Sequence, residues 1–448
     1  MNIVIIGAGS IGYSIARILS GKHSVTVVDR DEKRYEYVMS TLDVAAMHAN
    51  GASPQVLSEL LDSKVDLLMA VTESDETNIF ACMIAKKLHP QLFTVARMRD
   101  LDYTEGGLVT NFLSVDRVIS PEYLVAAKMK RIALLENAVD YDQIPSRGLE
   151  VARFRMNHNR QGIASIPLRH LPVPEDCKIL LIHRGGQTVV PTGDDVLLTG
   201  DDIVVIGKND GIAEFDRFLG IVKPSRDILI IGGGIVAQYL VGMLEGENVS
   251  IRLIEKDEER CRELAQRFGH AIIINDNGAD PLVLRTENVS MTDVLVCATN
   301  HEESDLLACL VGKHLGVSKT ITTFSRQEYK GIFHMAGVDA AISFDEVVAN
   351  AVVKQTVPDL DVMLLTEGFQ KELIGLEVGR KCRLREERIG DIELPERSVI
   401  AMVLTGNGAF LPDPDLRIME GDTLLIYADR ADISILERIF NRRIPVSP

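Results

Sequence analysis

The first thirty residues constrain this chain more than any other stretch. An apolar run, Ile3-Val4-Ile5-Ile6, leads into Gly7-Ala8-Gly9-Ser10-Ile11-Gly12, then a helical stretch and a second apolar run, Val25-Thr26-Val27-Val28, that ends at Asp29. Strand, glycine turn, helix, strand and acid in that order describe a dinucleotide-binding βαβ unit. Gly7 permits the tight turn, Gly9 lets the backbone approach a pyrophosphate, and Gly12 lets the helix sit close on the sheet. Phosphates would lie on the unpaired N–H groups of the helix N-terminus, around Ala8, Ser10 and Ile11. Asp29 stands 17 residues after Gly12, at the distance where a carboxylate accepts the adenosine ribose hydroxyls, and Arg30 follows it.

Composition narrows the remaining choices. A chain of 448 residues, 46% of them hydrophobic, exceeds one ordinary domain and supplies several cores. The formal net charge of −17 argues against a nucleic-acid partner and against direct insertion into an anionic lipid surface. No basic leader precedes the first strand, so a cytoplasmic location is expected. Ile228 to Leu244 is apolar, but its three consecutive glycines and its shortness predict a buried strand and helix rather than a membrane span. The six cysteines show neither CxxC nor Cys/His spacing, which predicts buried thiols, no metal site and no redox pair.

Alternating units continue past Asp29. A helix through Tyr35 to Leu42, a strand near Val44 to Met47, the turn Asn50-Gly51-Ala52-Ser53-Pro54 and a helix to Leu61 precede the apolar strand Val65 to Val71. That strand opens into Thr72-Glu73-Ser74-Asp75-Glu76-Thr77-Asn78, which caps the next helix. Loops of small polar residues at strand ends are where open parallel sheets hold ligands. Leu92 to Arg97 reads as a fifth strand ending in a cation, and Val115 to Ile119 as a sixth. Ser120-Pro121 starts a helix with an apolar stripe that has no layer left to cover in its own sheet. From about Leu149 to Leu219 short strands and turns describe a small α+β unit, and Lys223-Pro224-Ser225-Arg226 reads as a linker.

After that linker the plan repeats. Gly232-Gly233-Gly234-Ile235-Val236-Ala237 follows an apolar run, and the second strand ends at Glu255. Asn277-Gly278-Ala279-Asp280-Pro281 repeats Asn50 to Pro54, and Thr299, Glu303 and Asp305 repeat Thr72, Glu76 and Asn78, all 227 residues on. Thr323-Phe324-Ser325-Arg326 reads as a repeat of Thr94 to Arg97. The small unit returns 221 residues after Pro174, Pro191 and Gly200-Asp201 as Pro395, Pro412 and Gly421-Asp422. The expected fold class is therefore α/β, with two doubly wound parallel sheets each followed by a small α+β domain, and a duplication of this kind suits an assembly in which equivalent faces meet.

On these residues the chain resembles the tandem RCK family, whose members sit beneath potassium channels and transporters. The resemblance implies RCK-N and RCK-C units in alternation, at 1–137, 138–222, 225–357 and 358–442. It also implies a cytosolic homotetrameric ring, peripheral on the inner face of the cell membrane, that binds NAD(H) and ATP or ADP and gates potassium uptake through an integral membrane transporter subunit. The implied nucleotide contacts are the two glycine loops, Asp29, Arg30, Gly51, Ala52, Thr72, Glu76 and Arg97, and in the second half Glu255, Gly278, Ala279, Thr299 and Arg326. Two departures are visible: both turns carry Asn-Gly-Ala where the family often has Gly-Asp-Ala, and the second half has Glu302-Glu303-Ser304-Asp305, which adds negative charge at the sheet mouth.

A nicotinamide-dependent oxidoreductase is the alternative from another class. It would need a proton-moving Lys, His or Tyr in a substrate domain, and His158, His170 and His183 of the first small unit have no counterpart in the second. A plain ligand-binding scaffold is the third. The apolar helices beginning at Ser120-Pro121 and at Ser343-Phe344-Asp345-Glu346 are the expected contacts between subunits.

Overall fold

The computed structural model describes residues 1–440 apart from 22, 62–63, 100–112, 114, 145–147, 158–161, 221–225, 300, 327–328, 357–363, 366–370, 381, 396–397 and 407. Residues 223–225 of the expected linker, the boundaries at 222/225 and 357/358, and His158 thus lie outside the described residues. The first sheet holds β1 (Asn2–Ile6), β2 (Ser24–Asp29), β3 (Ala45–His48), β4 (Leu67–Ala70), β5 (Phe93–Arg97) and β6 (Arg117–Ile119). All its pairs are parallel, in the order β3-β2-β1-β4-β5-β6, so the order reverses between β1 and β4. Helices α1 (Ser10–Leu19), α2 (Glu32–Thr41), α3 (Pro54–Leu60) and α4 (Asp75–Leu88) connect the strands. Both faces are covered, which is why β1 and β4 are continuous apolar runs: Ile3, Ile5, Leu67 and Met69 face one core, Val4, Ile6, Leu68 and Ala70 the other.

Helix α5 (Pro121–Leu134) leaves this sheet, with Ser120 accepting from the Tyr123 N–H and Pro121 in its first turn. The small antiparallel sheet follows: β7 (Ala138–Ile144), β8 (Leu149–Arg155), β9 (Cys177–Arg184), β10 (Gln187–Val189) and β11 (Asp202–Lys208), ordered β10-β9-β11-β8-β7, then α6 (Asn209–Leu219). The second half repeats the plan. Strands β12 (Asp227–Ile231), β13 (Ser250–Glu255), β14 (Ala271–Asn275), β15 (Val294–Cys297), β16 (Lys319–Phe324) and β17 (Ala340–Ser343) lie in the same order as β1 to β6. Between them run α7 (Ile235–Leu244), α8 (Glu258–Arg267), α9 (Pro281–Thr286), α10 (Glu302–Leu315) and α11 (Tyr329–Met335). Helix α12 (Phe344–Thr356) follows, and then β18 (Leu364–Leu365), β19 (Lys371–Glu377), β20 (Val399–Thr405), β21 (Gly408–Phe410), β22 (Thr423–Asp429) and α13 (Ile433–Ile439). Ile228 to Leu244 is thus β12 and α7, as expected. No helix among the described residues is long and apolar enough to cross a membrane. All six cysteines are free and buried.

The two halves exchange helices. Val348, Ala349 and Val352 of α12 are buried in the core of the first sheet with Ile11 and Ile15 of α1. Val125, Ala126, Met129 and Ile132 of α5 share a core with Ala237, Leu240, Val241 and Leu244 of α7. Lys130 adds a polar clasp, donating to the Met243 carbonyl at 2.8 Å and pairing with Glu247 at 2.7 Å. The apolar stripes expected to bind another subunit are therefore covered by the other half of the same chain. The duplication supplies both copies of the exchange in one polypeptide, so no second chain is needed to bury them. The small sheets pair as well, through Leu149, Val151, Leu181 and Val204 against Ala401, Met402, Leu404 and Leu425.

Lys319 of β16 locks the exchange. Its Nζ is buried and donates to the Ile132 and Leu135 carbonyls, at 2.8 and 2.6 Å, where α5 ends and leaves carbonyls without helical partners. Burial pulls its pKa down to about 8, against the pull of Asp216 and Asp339. Lys319→Met keeps the bulk but strips those carbonyls of their charged donor and removes a positive field at buried Asp216. We expect a loss of about 3 kcal/mol from two hydrogen bonds to a charged group, read as a lower urea midpoint; an unchanged midpoint refutes the locking role.

Candidate functional site

The first glycine loop is built from contacts that assign each glycine a different task. Gly7 has φ +105°, a conformation that strains residues carrying a Cβ. A Cβ on Gly12 would stand 1.9 Å from the Gly7 carbonyl oxygen, so close packing of α1 on the loop demands glycine there. A Cβ on Gly9 would meet nothing nearer than Arg34 Nη1, at 3.6 Å. Packing therefore does not explain Gly9; an open space above it does. Gly9 caps α1 without any side-chain hydrogen bond, which leaves the first-turn N–H groups facing that space beside exposed Ser10.

Asp29 is buried and holds the loop in place. Its carboxylate accepts from the Ala8 N–H at 2.6 Å and from the Asp31 N–H at 2.8 Å. Each oxygen keeps a further lone pair for a ribose hydroxyl. Arg30 is exposed beside it. The Asn50 turn lies under the same strand ends: a Cβ on Gly51 would come within 2.4 Å of Ile6 Cγ2, while Asn50 accepts from the Ala52 N–H. Across the switch point Thr72 is fixed by Asn78, which accepts from its N–H and hydroxyl and donates to the carbonyls of Thr72 and Arg97. Glu76 is exposed and accepts from Ser74.

Arg97 does not stand open to this space. Its side chain is largely buried at the seam between the halves, 3.5 Å from Glu122 at the start of α5, which Arg99 also meets at 3.4 Å. Asp345, at the same place in α12, reaches back from the second half: the Ser10 hydroxyl hydrogen-bonds its carboxyl and Arg97 lies within its field. Burial, with Glu302 and Glu346 nearby, pushes Asp345 up to about 6. Glu122 Oε2 and Asp345 Oδ1 are buried without a hydrogen-bond partner. Glu122 and Asp345 escaped the sequence reading, although each is the second residue of its half's exchanged helix. Arg34 escaped it too, and its signal was the recurrence of arginine as Arg260 in α8.

In the second half Glu255 repeats Asp29, accepting from the Gly233 N–H at 2.6 Å and the Asp257 N–H at 2.9 Å. Gly232 has φ +98°, a Cβ on Gly234 would meet only the Ala298 carbonyl at 3.8 Å, and Gly278 packs on Ile231 as Gly51 packs on Ile6. Ile235 stands where Ser10 stands, with Val236 after it, so this helix start lacks the hydroxyl; Asn277 accepts from the Ala279 N–H.

The repeat of Arg97 needs correction. Arg97 lies opposite Ile119, whereas Thr323 lies opposite Ile342 in the matching ladder, and Thr94 on Asp116 is matched by Thr320 on Asp339. Thr323, not Arg326, therefore stands at the Arg97 position, because ladder pairing fixes the register that the letters alone misplaced. Arg326 is exposed and pairs with Glu303 and the Tyr329 ring. Among the described residues no group of three or more His, Cys, Asp and Glu side chains is arranged to hold a metal ion.

Comparison with known proteins agrees with this architecture. Family models match the TrkA-N domain at residues 3–121 and 228–344, and the TrkA-C domain at 151–220 and 373–441. Trk system potassium uptake protein TrkA homolog 1 of Methanosarcina mazei is 32% identical over 450 residues, covering 98% of this chain and 100% of that protein. Trk system potassium uptake protein TrkA of Haemophilus influenzae is 26% identical over 453 residues, covering 98% of each. Among solved structures, the GsuK RCK domain aligns with TM-score 0.64 at 16% identity, over 99% of this chain and 95% of that one. The GsuK channel bound to NAD gives 0.63 at 16%, over 99% and 79%. At such identity these two speak for the fold.

The second half carries a titratable group where the first does not. Asp305 fills the place of Asn78, accepting from the Thr299 N–H and hydroxyl at 3.2 and 2.7 Å, but as a carboxylate it cannot donate as Asn78 does. Burial pushes it up to about 7, Glu302 adding to the effect. The folded chain therefore keeps a proton that the unfolded chain has released above about pH 4, so this contribution to stability falls as pH rises from there to about 7. Asp305→Asn supplies the missing donor permanently. Its unfolding free energy, read from urea melts, should match the parent near pH 4 and exceed it at pH 8 by up to a few kcal/mol, at ~1.4 kcal/mol per unit; equal pH profiles for the two proteins contradict this.

Proposed function

The chain belongs to the TrkA family, and from that premise we propose that it is the nucleotide-binding regulatory subunit of a potassium-uptake system. The observation that carries this is the space above Gly9, ringed by the first-turn N–H groups of α1 and by Asp29, in a chain matched end to end by named potassium-uptake proteins. NAD(H) and the adenine nucleotides ATP and ADP are the ligands: the pyrophosphate on the helix start, the ribose at Asp29, and the nucleobase toward Gly51 and Ala52. The second loop offers the same backbone with Glu255 and takes the same class.

The switch works through differential binding, because a nucleotide that bound both arrangements of the ring equally would shift nothing. Helix α5 transmits it. Its start bears Glu122 at the Arg97 seam, its middle packs on α7, and Lys128 and Arg131 pair with Asp140 and Glu150 of the small domain, both at 2.7 Å. The units divide at 137/138, 222/225 and 357/358, and the protein works at the inner face of the cell membrane on a TrkH-like pore subunit, without catalysis. Homotetramer assembly uses α4 and α10, which expose Phe80 and Met83, and Leu307 and Leu310, at equivalent positions. Co-purification with a detergent-solubilised potassium transporter, with NADH bound but not oxidised, tests the assignment.

Two outcomes are expected in binding. NADH binds more tightly than NADPH, because a 2′-phosphate beside Asp29 sets like charges at hydrogen-bond distance; calorimetry giving the reverse order sinks that assignment. Gly9→Val stays folded, since its Cβ enters open space, yet loses affinity at the first site by tenfold or more. Unchanged NADH titration by that variant means the space does not hold the pyrophosphate.

A further inference from the structure

The first site carries an ion pair across its mouth. Arg34, in the first turn of α2, pairs through Nη2 with Glu73 Oε1 at 3.0 Å, and Glu73 follows Thr72 just past the end of β4. The pair spans the gap between the two strand ends that flank the glycine loop. Arg34 Nη1 is also the nearest group to the open side of Gly9, 3.6 Å from a Cβ built there. Both side chains are solvent-exposed, at 45% and 69%, so the pair is weak and readily exchanged. A guanidinium in this place has two anions within reach: the Glu73 carboxylate and any phosphate resting on the start of α1.

We propose that Arg34 is a phosphate-capturing residue of the first site and that Glu73 is its resident competitor, an internal anion that a nucleotide pyrophosphate displaces. The inference rests on the nucleotide reading given above. Guanidinium pairs with phosphate bidentately and gains strength from the doubled charge, whereas an exposed carboxylate holds it loosely. Binding therefore trades a weak pair for a strong one and frees Glu73. In the second half the arginine recurs as Arg260, but the sequence has Asn300 where Glu73 stands, so the competitor belongs to the first site alone. Nucleotide occupancy of the first site thereby releases a carboxylate at the sheet mouth beside Asp75 and the Arg97 seam, a change that the second site lacks.

The test uses the full-length chain with Gly234→Val added to silence the second loop, a substitution whose Cβ meets only a carbonyl at 3.8 Å. NADH affinity is read by its fluorescence at low and high sodium chloride. Arg34→Gln is expected to weaken NADH about tenfold, roughly 1.4 kcal/mol, and to flatten the salt dependence, because a screened charge contact has gone. Glu73→Asn, which copies the second half, is expected to tighten NADH about two- to fivefold. Opposite signs from the two partners of one ion pair mark competition. If α2 merely needed the pair for stability, both variants would weaken binding and leave the salt slope unchanged, and the proposal falls. If Gly9→Val abolishes binding while both variants stay within twofold of the parent, the capture role fails and the nucleotide reading stands. If the parent binds no NADH, ATP or ADP, both fail together.

Discussion

The structure depends on one reciprocal contact: each half lends the helix that follows its six-stranded sheet to the other half. A doubly wound sheet with α1 on one face still exposes apolar surface beside that helix, and α12 covers it with Val348, Ala349 and Val352. Helix α5 does the same for α7. Burial of this kind stabilises at roughly 25 cal/mol per Å², and neither half can supply it alone. The seam so formed is where Glu122 and Asp345 become buried, and burial is what makes their charge consequential.

That seam is not symmetrical, and the asymmetry follows from a few substitutions. Arg97 and Arg99 of the first half have Thr323 and Ser325 as counterparts in the second, so both cations facing the pair of acids come from one side. Ser10 gives the first helix start a hydroxyl that Asp345 engages, while Ile235 gives the second none. Asn78 can donate and accept at neutral pH; Asp305 needs a proton to donate. The duplicated frame has thus been kept while the groups at the two strand-end mouths have diverged, which gives one chain two glycine loops of unequal electrostatics.

Helix α5 connects these groups to the rest of the molecule. Its first turn meets Arg97, its apolar face meets α7, Lys319 caps its end, and Arg131 holds buried Glu150 beside Tyr141. A rigid element fixed at four places transmits displacement rather than absorbing it, because packed interfaces shift between discrete arrangements.

Much of this was legible in the residues. Continuous apolar runs, glycine spacing, the acid at the end of the second strand and the repeat indicated both sheets and the place of each loop, since these are local or near-local consequences of backbone geometry. The destination of α5 and α12 was not legible. An apolar stripe states that a helix must be covered but not by what, and only the folded chain shows that the two halves cover one another. The register of β16 was misplaced for a related reason: Arg326 matched Arg97 in letters, but hydrogen-bond pairing along the whole ladder set Thr323 in that position. Sequence determined which elements exist and which loops lie at the strand ends beside the glycine turns. Tertiary structure decided which charges meet, because Arg34 with Glu73 and Arg97 with Glu122 and Asp345 are partners distant in the chain, joined only when the sheets and their exchanged helices pack.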